Sequence, residues 1–168
     1  MYLQGPLLFV NLGSKMKVIA KFFIARDIKR YFGFLFDKGY KIQKIRYHPE
    51  SFGNWGVVLE SPFNLIYISC DREEIFLSFA PVDTDHKDGI GIQPIIYFLS
   101  QEQNFIGSFE GDLFREKKRQ FEKLANLLKE YLDQITPYFG SDFLRYKNEL
   151  LLTQKKYNDR LVKLYAAK

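Results

Sequence analysis

The chain has one cysteine, one tryptophan and two histidines in 168 residues. A single thiol, Cys70, cannot close an internal disulfide, so a packed core must hold the fold, and a reducing cytoplasm is the expected compartment. His48 and His86 stand in no nucleophile motif, which leaves a histidine-based triad without support. The glycines form no phosphate loop: Gly89 and Gly91, like Gly107 and Gly111, lack both the required spacing and a following Lys-Ser/Thr, so no nucleotide is expected. No apolar run reaches the roughly 18–20 residues that cross a bilayer. Residues 7–12 look like the apolar centre of a signal peptide, but no basic residue precedes them and no small-x-small cleavage site follows. The chain is therefore expected to be soluble. Met16-Lys17 resembles a conventional start, and residues 1–15 are read as an N-terminal extension, disordered or foreign to the native protein.

Aromatic residues are plentiful, with 17 Phe and 11 Tyr, while 46% hydrophobic and 27% charged residues are ordinary for a globular protein. These rings supply enough buried area for one core, and some of the Tyr hydroxyls must find polar partners. The length suits a single domain, here residues 16–168. Charge is unevenly distributed along it. Residues 15–47 hold ten Lys/Arg against two Asp/Glu, residues 48–112 hold two against eleven, and residues 145–168 return to seven against two. Such blocks can display opposed potentials that orient a partner or another copy of the chain; they can also cancel across one core.

Hydrophobic spacing predicts a first helix over residues 17–38, with Ile24, Ile28, Tyr31 and Leu35 on one stripe and Phe22, Ala25, Phe32 and Phe36 on the next. The apolar arc is broad enough to predict burial over more than half the circumference. Gly39 stands where a left-handed cap belongs. The period then becomes two, and strands are predicted over residues 40–48, 55–61, 65–70 and 74–80, separated by Pro-, Gly- and Asn-containing or short polar turns. Connections this short require antiparallel neighbours. A short helix is expected through Leu99 with Pro94 in its first turn, a longer one over residues 113–135 ended by Pro137 and Gly140, and a last one capped by Ser141 or Asp142. The fold class is thus α+β: an N-terminal helix packed on a four-stranded antiparallel meander (residues 17–100), with a C-terminal antiparallel helical hairpin (residues 112–168).

Several constellations invite a chemical reading. Asp83, Asp85, His86 and Asp88 are close in sequence, but Lys87 occupies the fifth place of a calcium loop, Gly89 comes one place late and no Glu stands at the twelfth, so no metal is expected. Asp71, Glu73 and Glu74 beside Arg72 form a charged turn, which is more often solvated than catalytic. No catalytic residue and no cofactor is assigned. Lys155, Lys156, Arg160 and Lys163 place basic charge on the last helix, enough for phosphate contact, although no groove-reading or zinc motif accompanies them. The same helix has a polar middle at Thr153 and Gln154 and makes a poor membrane face, so no membrane partner is expected.

The stretch Phe52-Gly53-Asn54-Trp55-Gly56-Val57-Val58-Leu59-Glu60-Ser61, followed by Asp71-Arg72-Glu73-Glu74-Ile75-Phe76-Leu77, resembles small uncharacterised bacterial proteins, some of them immunity-type proteins of toxin systems. The resemblance spans about thirty residues, and its members often carry Gly where this chain has Glu73. It implies a bacterial cytoplasmic origin and brings no catalytic residue. The expected function is non-enzymatic binding of another protein, with Asp71, Arg72, Glu73, Asp83, Asp85 and Asp88 on the contact face and Trp55 as an anchor if exposed. The alternative is nucleic-acid binding through Lys155, Lys156, Arg160 and Lys163.

Overall fold

A computed structural model describes residues 7–82, 84, 89–103 and 117–166 of the chain. The elements in order are α1 (Leu7–Asp37), β1 (Lys41–His48), β2 (Asn54–Glu60), β3 (Leu65–Asp71), β4 (Glu74–Ala80), β5 (Ile90–Gly91), α2 (Ile92–Leu99), α3 (Lys117–Phe139) and α4 (Phe143–Ala166). The strands form one antiparallel sheet in the order β1-β2-β3-β4-β5, so the fold is α+β as the alternating pattern predicts.

Period-two alternation sets which side chains enter the core. Paired positions build three rows on the inner face: Tyr47, Trp55, Cys70 and Ile75; Ile45, Val57, Ile68 and Leu77; Ile42, Leu59, Ile66, Phe79 and Ile90. The register of β1 shifts between Ile42 and Lys44. This bulge lets Ile42 and Ile45, three positions apart, both face inward. Two helices cover the inner face. α1 lies over the β1 side with Ile24, Ile28, Phe32 and Leu35 buried, and α3 lies over the β4 side with Phe121, Leu124, Leu128, Leu132, Ile135 and Phe139 buried. Each such side chain contributes about 1.5–3 kcal/mol by leaving water. Cys70 is a small buried core residue, and burial pushes its thiol pKa up.

The left-handed cap expected at Gly39 is present, in the form of a Schellman motif: Gly39 has φ +89°, its N–H reaches Phe36 C=O at 3.0 Å, and Tyr40 N–H reaches Leu35 C=O at 3.0 Å. Two helix boundaries differ from expectation. α1 begins at Leu7, ten residues before the predicted start, since nothing between Leu7 and Met16 except Gly13 opposes propagation of a helix already nucleated. The expected burial over more than half its circumference does not hold from Lys15 to Phe23, where no residue is buried; Ile24 is the first buried residue after that stretch. α3 runs through Pro137 to Phe139. A proline in the last turn removes one backbone bond, and burial of Phe139 against Phe79 (5.5 Å between ring centroids) and Phe143 (5.8 Å) holds the turn in place. The strand β5 was not foreseen, because two residues carry no readable period.

α3 and α4 are consecutive, joined by Gly140, Ser141 and Asp142, with Tyr138 set edge-on to Tyr146 near the junction. Beyond it α4 lies mainly against α2, where Tyr97 meets Tyr157. Leu150, Thr153 and Tyr157 are the buried residues of this run, so Thr153 of the expected polar middle faces inward.

Candidate protein-contact surface

One end of the sheet brings together the loop between β1 and β2 and the turn between β3 and β4. The β3–β4 connection has Arg72 at φ +47° and Glu73 at φ +72°, the left-handed pair of a tight hairpin turn. Asn-Gly normally occupies such positions, because a side chain there costs about 1–2 kcal/mol per residue. In the neighbouring loop Phe52 has φ +55°, also left-handed, and its side chain is 84% exposed. The Arg72 guanidinium lies over the Phe52 ring, 5.8 Å from its centroid. Three residues with large side chains are thus held outward at one end on backbone that glycine would occupy more cheaply.

This end is pinned from both sides. Asn54, the first residue of β2, donates from Nδ2 to Asp71 Oδ1 at 2.5 Å, and its Oδ1 accepts from Arg72 N–H at 2.9 Å. From α3, Gln120 donates from Nε2 to Glu73 C=O at 3.0 Å, while its Oε1 accepts from Ile75 N–H at 2.8 Å. The turn backbone is therefore fixed by two carboxamides from different elements. Rigid presentation of this kind lowers the entropy lost when a partner docks.

The electrostatics of the end are mostly acidic. Asp71 and Glu74 face each other across the hairpin, and Glu74 is raised above the usual carboxylate range by partial burial and by the charge of Asp71. Glu50 carries a further carboxylate, held below the usual range by its own backbone N–H, with His48 Nδ1 3.3 Å away. Within these two connections Arg72 stands against Glu50, Asp71, Glu73 and Glu74, while Lys17 of α1 acts on Glu50 and Lys117 of α3 acts on Cys70 from outside them.

The expected contact residues are distributed as follows. Asp71, Arg72 and Glu73 are exposed together on this end. Trp55 is half-buried, its ring 6.1 Å from Phe121 at an interplanar angle of 13°, so it serves as packing beneath the surface. Asp83, Asp85 and Asp88 lie outside the described residues. Phe52 carries a local signal of its own, an aromatic residue next to Gly53 in a polar loop. Gln120 had none, being one polar residue at the start of an amphipathic helix.

The basic residues of α4 are exposed, but two of the four are engaged with the body. Lys156 Nζ donates to Glu102 Oε1 at 2.5 Å, and Arg160 donates from an amino group to Tyr97 Oη at 3.4 Å while lying over that ring. These contacts join α4 to α2 and its C-terminal turn. On the outer sheet face a shallow cavity of about 160 Å3 contains Arg46, Val58, Tyr67, Ser69 and Ser78, and no carboxylate or imidazole lines it. Among the described residues no group of three or more His, Cys, Asp or Glu could hold a metal ion, and no helix is long and apolar enough to cross a membrane. No family model matches the chain, and no curated protein or solved structure matches it either.

Proposed function

We propose that the chain is a non-enzymatic binding protein that recognises another protein through the end of the sheet bearing Phe52, Asp71, Arg72 and Glu73, in the manner of a regulatory or immunity-type factor of a bacterial cytoplasm. The observation that carries this reading is the left-handed backbone at Phe52, Arg72 and Glu73. Strained positions persist where surrounding structure over-determines them, and they gather at sites of function. Here they hold out an aromatic ring and a guanidinium, the side chains that most often dominate binding energy, within an acidic rim. The partner is accordingly expected to be basic, with an apolar recess for the Phe52 ring.

The test is recovery of a specific partner by the purified chain, compared with the Phe52→Ser/Arg72→Ser double variant. Loss of the partner in that variant, with recovery retained by Lys155→Glu/Lys163→Glu, supports the contact. Equal recovery by both variants discards it. Nucleic-acid binding through α4 is the second reading, since Lys155 and Lys163 remain exposed beside the engaged pair. It requires retention of arbitrary DNA or RNA at low salt that falls steeply as salt rises. A toxin encoded beside this gene would favour an immunity role over other kinds of protein binding.

A further inference from the structure

The large apolar side chains left exposed lie mostly on two helices, α4 and α1, and on α1 those of the described side chains fall within one short stretch, residues 16–23. Met16, Val18, Ile19, Phe22 and Phe23 are each 46–68% exposed, and Ile24 is the first buried residue after them. At 100° per residue these five cover an arc of about 160°, centred opposite Ile24 and Ile28. Among the described residues, the Arg26 guanidinium lies over the Phe23 ring, 4.8 Å from its centroid. The same stretch is basic: Lys15, Lys17, Lys21 and Arg26 are exposed, and no Asp or Glu occurs anywhere in residues 7–26. Lys17 and Lys21 fall outside the apolar arc, whereas Lys15 and Arg26 bracket it at its two ends.

Charge and shape together select the occupant. A second copy packed antiparallel across the centre of the patch would set Lys15 of each chain against Arg26 of the other. A parallel pair would set Lys15 against Lys15 and Arg26 against Arg26. Either arrangement sets cation against cation at both ends, and the carboxylate next in sequence, Asp27, is held by Arg26 of its own chain at 3.4 Å. A single partner helix would use a narrow seam, and this arc is wider than one. A planar anionic surface matches both features. The arc can sink among acyl chains while lysine and arginine stems extend toward the phosphates, and the flanking lysines meet the headgroups.

We propose that residues 15–26 of α1 form a membrane-surface anchor, lying in the headgroup region of an anionic bilayer with Met16, Val18, Ile19, Phe22 and Phe23 inserted. This is attachment by one face and not a span. It is a binding activity separate from the contact at the end of the sheet.

The experiment is co-sedimentation of the full chain with vesicles of mixed phosphatidylglycerol and phosphatidylcholine, and with vesicles of phosphatidylcholine alone. The chain should sediment with the anionic vesicles and far less with the neutral ones, and rising salt should release it. Phe22→Ser/Phe23→Ser should weaken binding by about tenfold or more, since two large apolar groups leave the membrane. Lys17→Glu/Lys21→Glu should weaken it as well. All four substitutions are at exposed positions, and an unchanged circular dichroism spectrum would confirm that these variants are folded. Absence of sedimentation with anionic vesicles, or binding undiminished by the double Phe variant, overturns the proposal. So does a lipid-free dimer, or a soluble protein complex, that depends on Phe22 and Phe23 while vesicles are ignored.

Discussion

Gln120 Oε1 accepts the N–H of Ile75 at 2.8 Å, across 45 positions of sequence, and the same carboxamide donates to Glu73 C=O at 3.0 Å. An acceptor and a donor facing the start of β4 with this spacing do what the backbone of another strand would do. β5 pairs only with Ser78 and Phe79, and Gln120 serves the opposite end of the same strand. Replacing Gln120 by Met keeps the volume and removes both bonds. Ile75 N–H is buried, so the loss should be about 1–3 kcal/mol of stability, read from the midpoint of urea unfolding at an unchanged slope. A shift below about 0.5 kcal/mol would mean that water replaces the carboxamide at little cost.

A second buried polar contact makes a similar prediction at the other end of the sheet. Tyr40 Oη donates to Asn64 Oδ1 at 2.6 Å, and Asn64 Nδ2 has no partner among the described residues. The turn that holds Asn64 is closed by Ser61, whose Oγ accepts from the N–H groups of Phe63 and Asn64 at 3.2 Å. Tyr40→Phe would leave both ends of the Asn64 carboxamide unpaired in the interior. It should cost about 1–3 kcal/mol, and the additional change Asn64→Leu should recover part of that loss, since an apolar pair needs no hydrogen bonds. Failure of the double variant to recover any stability would show that the Asn64 side chain is needed for the turn itself.

The residues that were legible and those that were not differ in the kind of signal they carry. The four longer strands could be read because alternate residues such as Val57 and Leu59, or Ile75, Leu77 and Phe79, repeat at period two between turn-forming residues, and burial follows that repeat. The Gly39 cap could be read from one residue type in one place. α1 misled because apolar spacing indicates which residues could be buried and not whether anything is available to cover them. Phe22 belongs to a stripe that fits a core, yet it is 67% exposed. Of the candidate contact surface, Asp71, Arg72 and Glu73 were legible as a charged turn. Phe52 over Arg72, and Gln120 beneath Glu73, depend on contacts between separate elements that no local pattern encodes.

Tyrosine burial predicts how stability should fall at high pH. Burial pushes Tyr157 from 10.0 up to about 12, with Tyr165 adding to the rise, and burial also raises Tyr40. A group whose pKa is raised on folding adds stability that is complete below its unfolded value and disappears as pH climbs through its folded value. The contribution of Tyr157 should therefore be intact below pH 10 and lost between pH 10 and about 12. Unfolding followed across this range should be less steep in pH for Tyr157→Phe than for the native chain. Parallel curves would exclude Tyr157 as a source of the alkaline loss.

The same sign applied to a carboxylate predicts a gain. Glu74 is raised by burial first and then by Asp71, so the folded chain holds its proton more tightly than the unfolded chain does. Its favourable contribution is present at acid pH and is lost as pH rises through the folded value, which leaves a charged, partly buried carboxylate at neutrality. Glu74→Gln should raise the melting temperature at pH 7 and leave it nearly unchanged near pH 3. An equal effect at both pH values would assign the change to packing.

Glu73 tests strain and recognition at one position. With φ +72° it occupies backbone that glycine adopts freely, so Glu73→Gly should stabilise the fold by about 0.5–1 kcal/mol: relief of left-handed strain outweighs the extra freedom of the unfolded chain. The main-chain bond from Gln120 to Glu73 C=O is unaffected by the change. Asparagine also tolerates the left-handed region, so Glu73→Asn should keep most of the gain while likewise removing the charge. If the acidic rim contacts a basic partner, both variants should be more stable than the native chain and both should bind that partner more weakly, with the deficit shrinking as salt screens the remaining charges. A more stable variant with undiminished partner affinity would place the contact on Phe52 and Arg72 and remove Glu73 from it.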